Sequence, residues 1–140
     1  MLADWIGEAL YQYLASNATV AAMVSTYDGR PAVFFGDSVP EGADLPFIWV
    51  QPALADSAAD SKTTRARVRR YVLGIYAAAD GRAAWVDDAS ERLRGELHRA
   101  SIISGEGAFV VTAADIVGAA PSSEQIVGRL IQFTVRFAER

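Results

Sequence analysis

Apolar positions first recur at helical spacing. Trp5, Ile6, Ala9, Leu10, Tyr13 and Leu14 share one side of a helix from Ala3 to about Ser16, with Asp4, Glu8 and Gln12 opposite. Asn17-Ala18-Thr19 interrupts that helix, and Thr19 is placed to cap a short second one through Val20, Met23 and Val24. From Tyr27 to Pro46 the chain is rich in Gly, Pro and Asp and is broken only by Val33-Phe34-Phe35, which predicts a turn, a short edge strand and a loop.

The period then changes to two. Phe47 to Leu54 reads as a strand with Phe47, Trp49 and Ala53 on one face and Ile48, Val50 and Leu54 on the other. Ala55 to Ala66 is small and polar, which predicts a long loop. Arg67 to Ala77 is a second strand, with Tyr71, Leu73 and Ile75 on one side and Val68, Val72 and Tyr76 on the other.

Asp80-Gly81 stops that strand, and Asp80 is a candidate cap for a helix from Arg82 to about Ser101. Val86, Ala89, Leu93, Leu97 and Ala100 form its apolar stripe, and Asp87, Asp88, Glu91, Arg92, Arg94 and Glu96 its polar side. Ser104-Gly105-Glu106-Gly107 turns the chain into a strand from Ala108 to about Val117. After Gly118 to Gln125, the last strand has the clearest alternation: Val127, Ile131, Phe133, Val135 and Phe137 face one way, and Leu130, Gln132, Thr134 and Arg136 the other. These elements predict an α+β fold: a mainly antiparallel sheet with an N-terminal helix and one central amphipathic helix packed on one face.

Composition narrows the function. A chain of 140 residues with half its residues hydrophobic and about a fifth charged fits a single domain, residues 1–140, with one core. No apolar run approaches the roughly 18 residues of a membrane helix, and the start Met1-Leu2-Ala3-Asp4 lacks a basic region, so neither insertion nor signal-directed secretion is expected. With no cysteine and the single histidine His98, a disulfide framework and a structural zinc site are excluded, and no cofactor or metal is expected.

Catalytic constellations are also missing from the sequence. Ser90 and Ser101 flank His98 without a triad motif, and His98 reads as a solvated histidine favoured by the helix C-terminus. Adjacent acids such as Asp87 and Asp88 diverge on a helix, and Gly105-Glu106-Gly107 precedes a strand, so it is a turn and no phosphate cradle. The Asn17-Ala18-Thr19 triplet matches the glycosylation acceptor pattern, but without a secretory signal it is not expected to be used. The chain is therefore expected to be no enzyme.

Charge is uneven along the chain. Residues 1–61 carry eight acids against the single base Arg30, whereas residues 62–140 carry nine acids and twelve bases. In a head-to-tail oligomer an acidic flank of one subunit would meet a basic flank of the next. Lys62, Arg65, Arg67, Arg69 and Arg70 put five of the thirteen bases within nine residues. Without interleaved aromatics, and in an acidic chain, they point to an acidic protein partner or to protection of a strand edge more than to nucleic acid. Of the three tryptophans, Trp5 belongs to its helix's buried stripe, while Trp85, at the margin of the second stripe, is a candidate subunit contact.

The ordered set of patterns resembles the tail terminator, or tail completion, proteins of long-tailed bacteriophages and gene transfer agents. It consists of Leu10-Tyr11-Gln12-Tyr13-Leu14 with Val20 to Val24, Leu45-Pro46-Phe47-Ile48, Arg67 to Ala77, Ala83 to Leu97, and Leu130-Ile131-Gln132-Phe133-Thr134-Val135-Arg136-Phe137. The segment from Ala108 to Gln125 fits that pattern least. The resemblance implies a virion protein of the tail and neck, assembled in the host cytoplasm. It would form a hexameric ring on the head-proximal end of the tail tube, end tube polymerisation and join the tail to the head side. Its implied partners are copies of itself, the major tail tube protein and the head-side stopper or connector, with DNA passing through the lumen unread and no membrane involved. Lys62, Arg65, Arg67, Arg69, Arg70 and Trp85 are the candidate partner contacts. The alternatives are a head-to-tail stopper or adaptor of the neck and a small ligand-binding α+β domain.

Overall fold

The structure, a computed structural model, describes residues 5–36, 38–51, 55–58, 66–78, 83–105, 107–119 and 126–138. The N-terminal stripe folds as helix α1, Trp5–Ala15, and buries Ile6, Ala9, Leu10 and Leu14. A single-turn helix α2 follows at Ala18–Ala21. Its cap is Asn17, two residues earlier than the expected Thr19: the Asn17 side-chain oxygen accepts from the N–H groups of Thr19 and Val20 at 2.9 and 3.2 Å. With its backbone extended, Asn17 holds its side-chain amide oxygen where the first free N–H groups of the helix point.

Strands β1 (Thr26–Tyr27) and β2 (Arg30–Pro31) make a small hairpin. The edge strand β3 (Val33–Phe35) runs parallel to β4 (Phe47–Val50). The expected strand through Leu54 is described only as far as Val50, with residues 52–54 outside the described residues. Part of the expected loop is itself strand. Ala55–Ala58 forms β5 against the same edge of β6 (Ala66–Ala78) that β4 occupies further along. Backbone pairing to an already folded strand overrides weak local propensity there.

Helix α3 covers Ala83–Leu97 and ends four residues before the expected Ser101. Arg99 takes a left-handed φ of 62°, which closes the helix, and the chain enters a strand at once. That strand is β7 (Ser101–Ser104), centred on Ile102 and Ile103, which the pattern leaves between the expected helix end and the Ser104 turn. The hairpin with β8 (Gly107–Ala119) closes across Ser104 and Gly107, and β9 (Ile126–Ala138) completes the sheet. Asp80, the candidate cap, lies outside the described residues.

The main sheet runs β3-β4-β6-β9-β8-β7, with β5 beside β6. All its neighbours are antiparallel except β3 and β4. Strands β6, β8 and β9 have thirteen residues each, so at about 3.3 Å per residue they reach roughly 40 Å and frame the molecule.

Alternation then fixes the inner face. Tyr71, Leu73 and Ile75 of β6 and Ile131, Phe133 and Val135 of β9 are all buried, as the sequence pattern requires. Helix α3 lays Val86, Ala89, Leu93 and Leu97 over them. Helix α1 packs on the same side and touches both β3 and β7, the two ends of the sheet, which shows how strongly the sheet curls around it. The buried apolar residues form one cluster. The C-terminal ends of the two helices are clipped together: the Tyr13 hydroxyl donates to the Glu96 carbonyl at 2.9 Å, and the Asn17 amide donates to the Glu96 carboxylate at 2.9 Å.

Candidate interaction surface

The chemistry-bearing side chains are spread out and satisfied. Among the described residues, no three His, Asp or Glu side chains gather where they could hold a metal ion. Ser90 is buried and donates to the Asp87 carbonyl at 2.9 Å. His98 departs from the solvated role expected of it: it is half-buried, and its Nδ1 accepts from the Ala114 N–H at 3.2 Å, tying the end of α3 to β8. That contact assigns the proton to Nε2 in the neutral ring. Ser90 thus bonds within its own helix and His98 ties that helix to β8, and the prominent surface features lie elsewhere.

The outer face of the sheet, turned away from α1 and α3, is the first. Tyr27, Phe34, Phe47 and Tyr76 form a run of aromatic rings with centroid separations of 5.3, 5.9 and 5.3 Å. The Tyr76 ring lies across Gly74, where any Cβ would collide with it, and burial pushes its phenol up from the ordinary value. Trp49 is fixed beside them, its indole N–H donating to the Gly36 carbonyl at 2.8 Å. Further along, Thr112 and Thr134 share a hydroxyl contact of 2.6 Å. This face is apolar at one end and small and polar in the middle.

The arginine run does not form one patch. Neighbouring residues of a strand point to opposite faces. Arg67 and Arg69 pair with Phe137 and Val135 on the helix side of the sheet, whereas Arg70 pairs with Thr134 on the outer side. The Arg69 guanidinium sits 5.0 Å from the Phe137 ring centroid, and Trp5 meets Phe137 and Phe109 edge-on at 6.3 and 5.8 Å. Arg69 thus caps an aromatic cluster by cation–π attraction. Arg70 is exposed, as is Arg136 on the same outer face opposite Val68. Lys62 and Arg65 lie outside the described residues. Trp85 is half-buried and packs against the core.

Of the two terminal strands, β3 is the short edge strand expected at Val33-Phe34-Phe35, and β7 is the one that sequence reasoning missed. Ile103, on β7, is 83% exposed, the most exposed of the large apolar side chains among the described residues. At the other end, an open groove of about 560 Å³ runs beside β3, lined by Tyr11, Tyr27, Pro31, Val33, Phe34 and Phe35 together with Glu8, Asp28, Arg30, Ser38 and Pro40. A signal for β7 was available. The Gly105-to-Gly107 turn followed by Ala-Phe-Val-Val calls for a partner strand just before it, and Ile102 and Ile103 stand there, between the expected helix end and the turn.

A curled seven-stranded sheet with α1 and α3 on one face defines a small α+β domain. Comparison with known proteins refines this. The chain is similar to a chain of a solved virion of a native gene transfer agent particle, at 22% identity over 96% of this chain and 95% of that one, with a TM-score of 0.70. A second solved protein matches with a TM-score of 0.52 at 10% identity, over 96% of this chain and 93% of its own. No protein-family model and no curated protein matches the sequence. At such identities the likeness establishes a shared fold across nearly the whole chain.

Proposed function

We propose that this protein is a structural component of a phage-like virion, a single-domain tail terminator that forms a hexameric ring on the head-proximal end of the tail tube. The observation that carries the reading is the shared fold, over 96% of the chain, with a chain from a gene transfer agent virion. The order of sequence patterns supports the finer assignment, since it is the order of tail terminators from the first helix to the closing strand. Such a ring must match the symmetry of the last tube ring while lacking the surface that would recruit another. The head-side stopper or connector and the major tail tube protein are its partners, and DNA passes through the lumen without being read.

The division of charge suits this role, because the acidic first half and basic second half give each subunit unlike flanks. Exposed Arg70, with Lys62 and Arg65 in the preceding segment, is proposed to contact the acidic partner. Arg67 and Arg69 flank that contact on the helix side, and Trp85, near the other end of β6, is proposed as a separate subunit contact. Electron microscopy of particles lacking the protein is the test. Overlong tails on filled heads are expected for a terminator, whereas normal tails with heads that leak DNA would assign the chain to the stopper role instead.

A further inference from the structure

We infer that the ring is built by sheet extension: β7 of one subunit lies in the groove beside β3 of the next and pairs with that strand in parallel, with Ile103 against Phe34. The inference rests on the proposed ring and supplies its interface. It begins from unpaired backbone. In the β7–β8 hairpin the Val111 N–H donates to the Ala100 carbonyl at 2.8 Å, and Ser101, Ile102, Ile103 and Ser104 pair with Val110, Phe109, Ala108 and Gly107. Antiparallel ladders alternate, so Ile102 and Ser104 turn their main-chain groups to β8, while Ser101 and Ile103 turn theirs to the open edge.

The same holds at the other end of the sheet. The Ile48 N–H donates to Ala32 at 3.0 Å and the Gly36 N–H to Val50 at 3.2 Å, so Ala32, Phe34 and Gly36 face β4 and the main-chain groups of Val33 and Phe35 face outward. Neither strand carries a usual edge guard: Ser-Ile-Ile-Ser and Val-Phe-Phe contain no charge and no proline. Ile103 stands in solvent and Phe34 and Phe35 are half-buried at the groove, while Val33 is buried, and apolar edges without a guard invite a further strand.

Strand sense selects the partner. From β3 to β7 the sheet has one parallel step followed by four antiparallel ones, so its two terminal strands run in the same direction. A copy added in the same orientation therefore meets β7 with β3 in parallel. The faces agree as well. The open groups of β7 belong to outward-facing Ile103 and those of β3 to inward-facing Val33 and Phe35, the offset a parallel ladder needs. Ile103 then stands opposite Phe34 on the outer face and Ile102 opposite Val33 on the core face, with the Ile103 N–H donating to Val33 and its carbonyl accepting from Phe35.

One subunit cannot make this joint alone, because α1 packs between its own β3 and β7. The joint is head to tail, which permits closure into a ring. Ile103 gains cover from Phe34 and Tyr27 in the groove. Of the charged groups lining that groove, Glu8 and Asp28 outnumber Arg30, and exposed Arg99 arrives just ahead of β7.

Cysteine cross-linking tests the joint cleanly because the chain has no cysteine of its own. Facing residues on adjacent strands fall within the roughly 4.4–6.8 Å Cα separation that a disulfide spans. The variant carrying both Phe34→Cys and Ile103→Cys should, on oxidation of the purified protein or of assembled particles, give covalent multimers up to the full ring, while each single variant stays monomeric on a denaturing gel. Ile103→Pro removes the donor that points away from β8 and should abolish ring formation with little change in melting temperature.

Several results would overturn the inference: no linkage in either sample, a link confined within one subunit, a link to a different protein, dimers from Ile103→Cys alone, or rings surviving Ile103→Pro. These outcomes are separable from the function itself. Multimers linked in solution by a protein absent from tail ends would leave the joint standing and remove the terminator role. A protein seen at tail ends but never linked would do the reverse.

Discussion

Substituting Gly7 by alanine tests how tightly the first helix is seated on the edge strand. Helix propensity alone makes the change favourable by about 0.8–1 kcal/mol, because glycine in a helix interior carries the largest entropic cost of any residue but proline's special case. The packing argues the opposite. Gly7 is buried in α1, and a Cβ there would lie under 3.0 Å from three atoms of the Phe35 ring, which is itself held against the core from β3. Forcing extra atoms into a packed contact costs about 1–3 kcal/mol, so Gly7→Ala should lower stability overall.

The double variant gives the sharper result. With Phe35→Ala in place the ring is gone, and Gly7→Ala should then be neutral or stabilising by up to about 1 kcal/mol, a coupling of about 1–3 kcal/mol between the two positions. Urea unfolding of the four proteins, with slopes checked for equality, measures it. A Gly7→Ala protein more stable than the parent, or the same change in both backgrounds, would refute the idea that α1 is positioned by this contact.

Other expectations follow from the same structure. Leu93, fully buried on the sheet-facing side of α3, should cost about 2–5 kcal/mol as alanine, read from the urea midpoint. Asn17→Ala removes both the cap of α2 and the bond to Glu96, and a loss of about 1–2 kcal/mol is expected, whereas Thr19→Ala should change the midpoint far less. Burial first and the Glu96 charge second push the Tyr13 phenol above 10.0. The folded state then holds its proton more tightly than the unfolded state, so that stabilisation is complete below 10.0 and is lost as pH rises through the higher folded value. The urea midpoint should therefore fall with pH in that alkaline range, and fall less in Tyr13→Phe. Arg70→Glu, on the exposed outer face, should leave the melting temperature unchanged but weaken tail joining, whereas Arg69→Glu, which removes the cation over Phe137, should lower the melting temperature as well.

Local periodicity was enough to draw the core. The 3.6-residue stripes of α1 and α3 and the strict alternation of β6 and β9 named Leu10, Leu14, Leu93, Tyr71, Ile131 and Phe133 as buried, because each of these elements covers one face with its own side chains. Fold class and the order of the long elements came with them. In β8 the pattern broke down for a physical reason. Bulges between Val111 and Ala113 and between Ile116 and Gly118 shift the inward set from Phe109 and Val111 to Ala114, so no single period runs through the strand.

What the linear pattern could not hold was everything that depends on a neighbour. β5 and β7 are four residues each and owe their strand conformation to β6 and β8, since the sequence of β5 reads as loop and that of β7 falls between a helix end and a turn. The arginine run looked like one patch because a sequence has no faces, and pairing to β9 divides Arg67 and Arg69 from Arg70. Which strands stand at the ends of the sheet, and that they run the same way, is set by pairing between residues as far apart along the chain as Ala66 and Ala138. Side-chain period is a property of one segment, but an edge exists only once every other strand has chosen its partner.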